Sequence, residues 1–168
     1  MGNIVFIGFK GAGKTSVGKV VAKKLGKQFF DTDALLEKKF FEREGVRRSF
    51  REIYTKMGAS FFRQLESEAA LEILKKRDSV ISVGGGTLFI NEQVKGLVKK
   101  EKVVYLHVDP EKLFLRITSR GVPPFLDSKN PKKVLRNCSV KERSFIKSLL
   151  ILQLTMEPPL LKRLENAL

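Results

Sequence analysis

One cysteine and one histidine in 168 residues leave few routes open to several kinds of chemistry. With Cys138 alone, no internal disulfide framework can form, and the composition suits a reducing compartment. His107 falls inside Val103-Val104-Tyr105-Leu106-His107-Val108, an apolar run that reads as a buried strand, so it is taken as structural and given no catalytic role. No run of about 18 apolar residues occurs, so no membrane-spanning helix is expected. The N-terminus lacks the basic, apolar and small-residue succession of a secretory signal. Gly2 stands where a myristoylation signal begins, but Val5 and Phe6 occupy places where that signal takes polar residues. The expected location is the cytoplasm. Repeats, linkers and low-complexity segments are also missing, so one compact α/β domain over residues 1–168 is the natural reading.

Acidic residues are in the minority: 18 against 33 Lys and Arg, a formal net charge of +15. Such an excess is compatible with nucleic acid, a membrane surface or small anions. The basic residues are scattered, many at predicted helix ends (Lys23-Lys24, Lys75-Lys76-Arg77, Lys99-Lys100), where cations oppose the helix dipole favourably. No basic stripe interleaved with aromatics appears. The charge is therefore read as a solvated surface, with neither a nucleic-acid nor a membrane partner expected.

What is present begins with Gly8-Phe9-Lys10-Gly11-Ala12-Gly13-Lys14-Thr15, a G-x-x-x-x-G-K-T loop. The apolar run Ile4-Val5-Phe6-Ile7 precedes it, and Val17, Val20, Val21 and Leu25 follow at helical spacing. Strand, glycine loop and helix are the setting in which this motif binds a nucleoside triphosphate. Glycines permit the backbone to approach phosphates closely, and loop N–H groups at the positive end of the helix dipole bind their oxygens. Gly11, Ala12, Gly13, Lys14, Thr15 and Ser16 form the expected ATP-binding stretch. Lys14 reaches the β- and γ-phosphates, and the Thr15 hydroxyl is placed to ligate Mg²⁺.

Further on, Gln28-Phe29-Phe30-Asp31 reads as a second strand ending in Asp31-Thr32-Asp33. Two carboxylates at a strand end suit one role toward Mg²⁺ and one toward substrate, or Asp33 caps a helix over residues 34–44. Ser49-Phe50-Arg51-Glu52 has the form of a capping box opening a short helix that stops at Gly58. A second helix starts at Ser60. Arg63 sits in its first turn, where the dipole disfavours a cation; an anionic ligand or an ion pair with Glu66 would explain it. The strand Ser79–Val83 runs into Gly84-Gly85-Gly86, three residues of bare backbone facing a ligand. Asn91 and Asp109-Pro110 begin two more helices. From Arg116 to Asn130 the chain reads as an irregular lid, followed by helix over about 131–150, a strand near 151–155 and a last helix from Leu160.

The loop Gly8–Thr15, Asp31-x-Asp33, Phe62-Arg63-x-x-Glu66 and Gly84-Gly85-Gly86, in this order and spacing, resemble the shikimate kinase family over about residues 3–147. The resemblance implies transfer of the γ-phosphoryl group of ATP to the 3-hydroxyl of shikimate. The predicted strands and right-handed crossovers point to a three-layer α/β/α P-loop kinase fold on a five-stranded parallel sheet, for which the resemblance implies the order 2-3-1-4-5; a monomer is the default assembly. The resemblance further implies a substrate-binding helical region at about 33–63 and a lid at about 116–130. By position, Asp33 holds the substrate hydroxyls and acts as the base, and Asp31 assists Mg²⁺. Arg63 and Arg143 pair with the carboxylate, Gly84 to Gly86 grip the ring hydroxyls, and Arg116 stacks on adenine.

Two departures stand out. The family carries a lid arginine before Pro-Leu-Leu; here Pro123 occupies that place in Pro123-Pro124-Phe125-Leu126, and Arg120, three residues earlier, is the candidate replacement. The segment beyond Leu150 also lacks the usual spacing between last strand and last helix. Two other functions fit the same residues. One is a small P-loop kinase of gluconate type, since gluconate also bears a carboxylate. The other is a non-catalytic ATP-binding protein whose basic surface meets a partner.

Overall fold

A computed structural model describes residues 2–119 and 152–155, with backbone alone at 89–90 and 152–155. The expected lid beyond residue 119, the helix over 131–150, the last helix, Cys138, Arg120 and Arg143 lie outside the described residues.

Among the described residues, five short strands form one parallel sheet: β1 (Ile4–Ile7), β2 (Gln28–Asp31), β3 (Ser79–Ser82), β4 (Lys102–His107) and β5 (Leu152–Thr155), in the order β2-β3-β1-β4-β5. Both the strand count and the order match the expectation. Alternation along the strands sends successive side chains to opposite faces. Phe6, Val80, Val104 and Leu106 meet Val17 and Ala22 of α1 (Lys14–Lys24) and Leu113 and Ile117 of α6 (Pro110–Thr118). Val5, Ile7, Ile81, Val103 and Tyr105 meet Ala70 and Ile73 of α3 (Phe50–Ile73) and Val94 and Val98 of α5 (Glu92–Val98). Helices thus cover both faces of the sheet, as parallel strands buried on both sides require. A third apolar cluster joins α2 (Thr32–Glu44), through Leu36 and Phe40, to Ile53, Phe62 and Leu65 of α3.

α3 is two helical runs joined at Gly58, whose backbone (φ 83°, ψ 167°) leaves the helical region. A side chain would be strained at that φ, so glycine sets the bend. Ser49 caps the first run as expected: its N–H donates to Glu52 Oε2 at 2.8 Å, and the Glu52 N–H returns to Ser49 Oγ at 3.4 Å. Asn91 likewise accepts from the N–H groups of Gln93 and Val94. Asp109 accepts from those of Glu111 and Lys112.

Two boundaries differ from expectation. α2 begins at Thr32 rather than residue 34, and its cap is Asp31, which accepts from the Asp33 N–H at 2.9 Å; Asp33 lies within the first turn. The strand gives way to helix without an intervening residue, so the carboxylate two positions earlier is the one that faces the free N–H groups. At the other end of the described region, α6 runs to Thr118, so Arg116 belongs to a helix and not to an irregular stretch.

Candidate functional site

The glycine loop joins β1 to α1. Gly8 has φ 138°, and a Cβ there would stand 2.6 Å from the Leu106 carbonyl oxygen, so only glycine lets β1 leave the sheet beside β4. Gly13, at φ 94°, is the N-cap of α1 and brings no capping side chain; no acidic residue stands in the first turn. The first N–H groups of α1 therefore sit at a positive helix end suited to phosphate oxygens. Lys14 is only 9% exposed, with Nζ donating to the carbonyls of Gly8 (2.8 Å) and Phe9 (3.0 Å). Ala12 plays a different part from its neighbours: its side chain is in the core, and its N–H donates to the Phe9 carbonyl at 3.1 Å.

One cavity of about 590 Å³ runs from this loop to α3. It is lined by Gly11, Gly13, Lys14, Thr15 and Ser16 on one side and by Asp31, Asp33, Arg63 and Gly84 to Gly86 on the other. Eleven residues that the sequence singled out, from Gly11 to Gly86, are thereby brought together.

Thr15 Oγ1 donates to Asp31 Oδ2 at 2.6 Å, while Asp31 Oδ1 accepts from the Asp33 N–H. The carboxylate is thus oriented from both sides. A hydroxyl oxygen and a carboxylate oxygen side by side are hard donors of the kind Mg²⁺ takes, one or two from protein and the rest from phosphates and water. Among the described residues, no group of three or more His, Cys, Asp and Glu side chains forms a metal cage. The donor set therefore fits Mg²⁺ shared with a nucleotide.

Asp33 is partly enclosed beside these groups. Burial, and then the neighbouring Asp31 carboxylate, push its pKa up to about 6, against the pull of Lys14. A carboxyl group poised there can take a proton from a hydroxyl near neutral pH.

Of the two explanations offered for Arg63, the ion pair with Glu66 is present, and the residue also stands at the cavity. Its Nη1 donates to Glu66 Oε2 at 2.6 Å, and the guanidinium still lines the cavity. Glu66, 4% exposed, also accepts from Thr87 Oγ1 through Oε1 at 2.7 Å. The glycine triplet is there for space. None of the three has a positive φ, but a Cβ on Gly84 would lie 2.9 Å from Thr87 Oγ1, 3.0 Å from Glu66 Oε1 and 3.1 Å from Asp33 Oδ1. A Cβ on Gly86 would lie 2.8 Å from Arg63 Nη1. The Gly84 N–H, expected to face a ligand, donates instead to the buried Thr32 hydroxyl at 2.8 Å.

Arg116 is exposed in the last turn of α6 and does not line the cavity, although the adjacent Ile117 packs against Gly11. His107, at the end of β4, does not line it either. Sequence reasoning passed over Lys10, Phe50, Arg51 and Tyr54, which complete the α3 side of the wall. The signal available was the capping box at Ser49, which sets Phe50, Arg51 and Tyr54 on the opening turns of a helix.

A gluconokinase from Sinorhizobium meliloti 1021 shares the fold, with a TM-score of 0.51 at 19% identity over 99% of this chain and 89% of its own. Much nearer in shape is a shikimate kinase from Acinetobacter baumannii, solved in complex with shikimate. Its TM-score is 0.78 at 26% identity, covering 99% of this chain and 92% of that one. A shikimate kinase of Moorella thermoacetica is 40% identical over 133 residues, 79% of this chain and 73% of its own. The family model for shikimate kinase matches residues 10–154, from the glycine loop to the last strand, and the chain belongs to the shikimate kinase family.

Proposed function

We propose that the cavity carries out the family's reaction, passing the γ-phosphoryl group of ATP to the 3-hydroxyl of shikimate, with the roles that follow. The loop and the start of α1 hold the phosphates, and Lys14 places its charge against the group being moved. Thr15 and Asp31 would hold Mg²⁺, which would supply positive charge to the phosphates. Asp33 orients the acceptor hydroxyl and takes its proton. Arg63, steadied by Glu66, binds the carboxylate through the planar fork that suits it. Phosphoryl transfer asks mainly for placement and charge neutralisation, and these residues supply both.

The observation that carries this reading is the shared cavity. A phosphate loop with Lys14 and Thr15 opens directly onto a carboxylate, Asp33, and a guanidinium, Arg63. Arg143 as a second carboxylate partner, Arg120 as the lid arginine and Arg116 on adenine rest on the family resemblance alone. The single cysteine supports a cytoplasmic protein, and a monomer is the assembly we propose.

ADP release is the test, measured with ATP and Mg²⁺, with and without shikimate. Turnover that depends on shikimate and is lost in Arg63→Ala is the expected result. ATP binding with no response to shikimate, and a response to gluconate instead, would overturn it.

A further inference from the structure

The loop carries two lysines and sends them in different directions. Lys14 folds onto the loop's own carbonyls. Lys10 leaves the loop toward α3, where its Nζ lies 3.9 Å from the centroid of the Phe50 ring. Phe50 is the first residue of α3, and its N–H donates to Glu37 Oε1 of α2 at 2.9 Å, so the ring stands on a braced corner between the two helices. A ring face attracts and orients a cation. Arg51, the next residue, adds a second positive charge to the same wall, and Lys10, Phe50, Arg51 and Arg63 all line one cavity.

Resting on the function proposed above, we propose that Lys10 is a specificity-determining residue of the acceptor half of the cavity. Its ammonium, shelved on Phe50 beside Arg51, binds the acceptor's carboxylate, so that acidic polyols are taken in preference to neutral ones. The electrostatics agree with this placement. Burial, and then the Arg51 guanidinium, hold the pKa of Lys10 down to about 8; Lys14 acts in the same direction, while Asp33 and Glu66 work against it. A cation held among other cations and partly desolvated gains most from an arriving anion. The aliphatic stem of the lysine meanwhile supplies apolar wall, as long cationic side chains do.

The test compares kcat/KM for shikimate and for its neutral methyl ester in the wild type, Lys10→Met and Lys10→Arg, with thermal melts to confirm folding. The proposal expects the preference for the free acid to fall about tenfold or more in Lys10→Met, since a hydrogen-bonded charge pair is lost. Lys10→Arg keeps most of it. The wild-type kcat/KM for shikimate should decline as pH rises through about 8, a limb that Lys10→Met lacks and Lys10→Arg moves upward. An acid-to-ester ratio unchanged in Lys10→Met overturns the proposal, whether both activities hold or both fall together, because equal falls place the charge on the phosphoryl group or the wall. Wild-type protein inactive on shikimate refutes the function itself, and that arm is read separately from the ratio.

Discussion

Arg63 Nη1 meets Glu66 Oε2 at 2.6 Å, one turn along the same helix, and Glu66 is nearly inaccessible while Arg63 still reaches the cavity. The buried carboxylate therefore acts as a fixed stay for a half-buried guanidinium. Glu66→Gln keeps an oxygen for Thr87 but turns an amide N–H₂ toward donors that need an acceptor. The KM for shikimate should rise about tenfold, worth about 1.4 kcal/mol, with the KM for ATP little changed. Glu66→Ala should in addition lower stability by about 1–3 kcal/mol, since the buried Thr87 hydroxyl loses its acceptor. Steady-state kinetics and denaturant melts check the two variants, and equal effects on both KM values would contradict the assignment.

The hydrogen bond from Thr15 to Asp31 sets up a second prediction. Thr15→Val preserves shape and removes the hydroxyl. The Mg²⁺ concentration giving half-maximal turnover should increase by at least about tenfold, while metal-free nucleotide binding, followed by fluorescence titration, stays near the wild-type value. An unchanged Mg²⁺ midpoint would mean that the hydroxyl serves only the fold.

Asp33 combines function with a cost to stability. Its pKa in the folded protein is raised to about 6 from an ordinary 3.8. Between these values the folded state holds a proton that the unfolded chain has released. The group's favourable contribution is complete below pH 4 and is lost as pH rises through about 6. Asp33→Asn should therefore stabilise the protein at pH 7.5 by about 1–2 kcal/mol, a figure reduced for partial solvent access. The gain should vanish near pH 4, and turnover should be lost. Wild-type kcat/KM should fall as pH drops below about 6. Calorimetry at the two pH values decides the matter, and a destabilised Asp33→Asn at pH 7.5 would count against it.

The two ends of the glycine triplet should respond differently to one methyl group. At Gly86 the methyl meets the tip of Arg63, a long side chain that can swing aside. Gly86→Ala should keep its melting temperature and raise the KM for shikimate. At Gly84 the methyl meets Thr87, Glu66 and Asp33 together, two of them buried. Gly84→Ala should cost about 1–3 kcal/mol, as overpacking does, and lower kcat as well. Similar behaviour in the two variants would show that the triplet serves only the turn.

Much of this protein was readable without coordinates, because its signals are local. A loop glycine, a lysine and a threonine in register between a strand and a helix need only their immediate neighbours. The same is true of the Ser49–Glu52 box, the Asn91 and Asp109 caps and the apolar runs of β1, β3 and β4. The succession of strands and helices pointed to the layered fold, and the order of the motifs supplied the family and, with it, the sheet order.

What the tertiary structure decided depends on approach through space. That Asp31 rather than Asp33 caps α2 turned on a two-residue shift of a boundary, below the resolution of any periodicity. That Glu66 holds Thr87, that Gly84 is narrow because side chains from α2, α3 and α4 (Thr87–Ile90) converge on it, and that its N–H is taken by Thr32 follow from helices folding across the sheet. Lys10 shows the same division. Its place in the loop was plain from the sequence, but its seat on Phe50, forty positions away, exists only once the corner of α2 and α3 has closed against the loop.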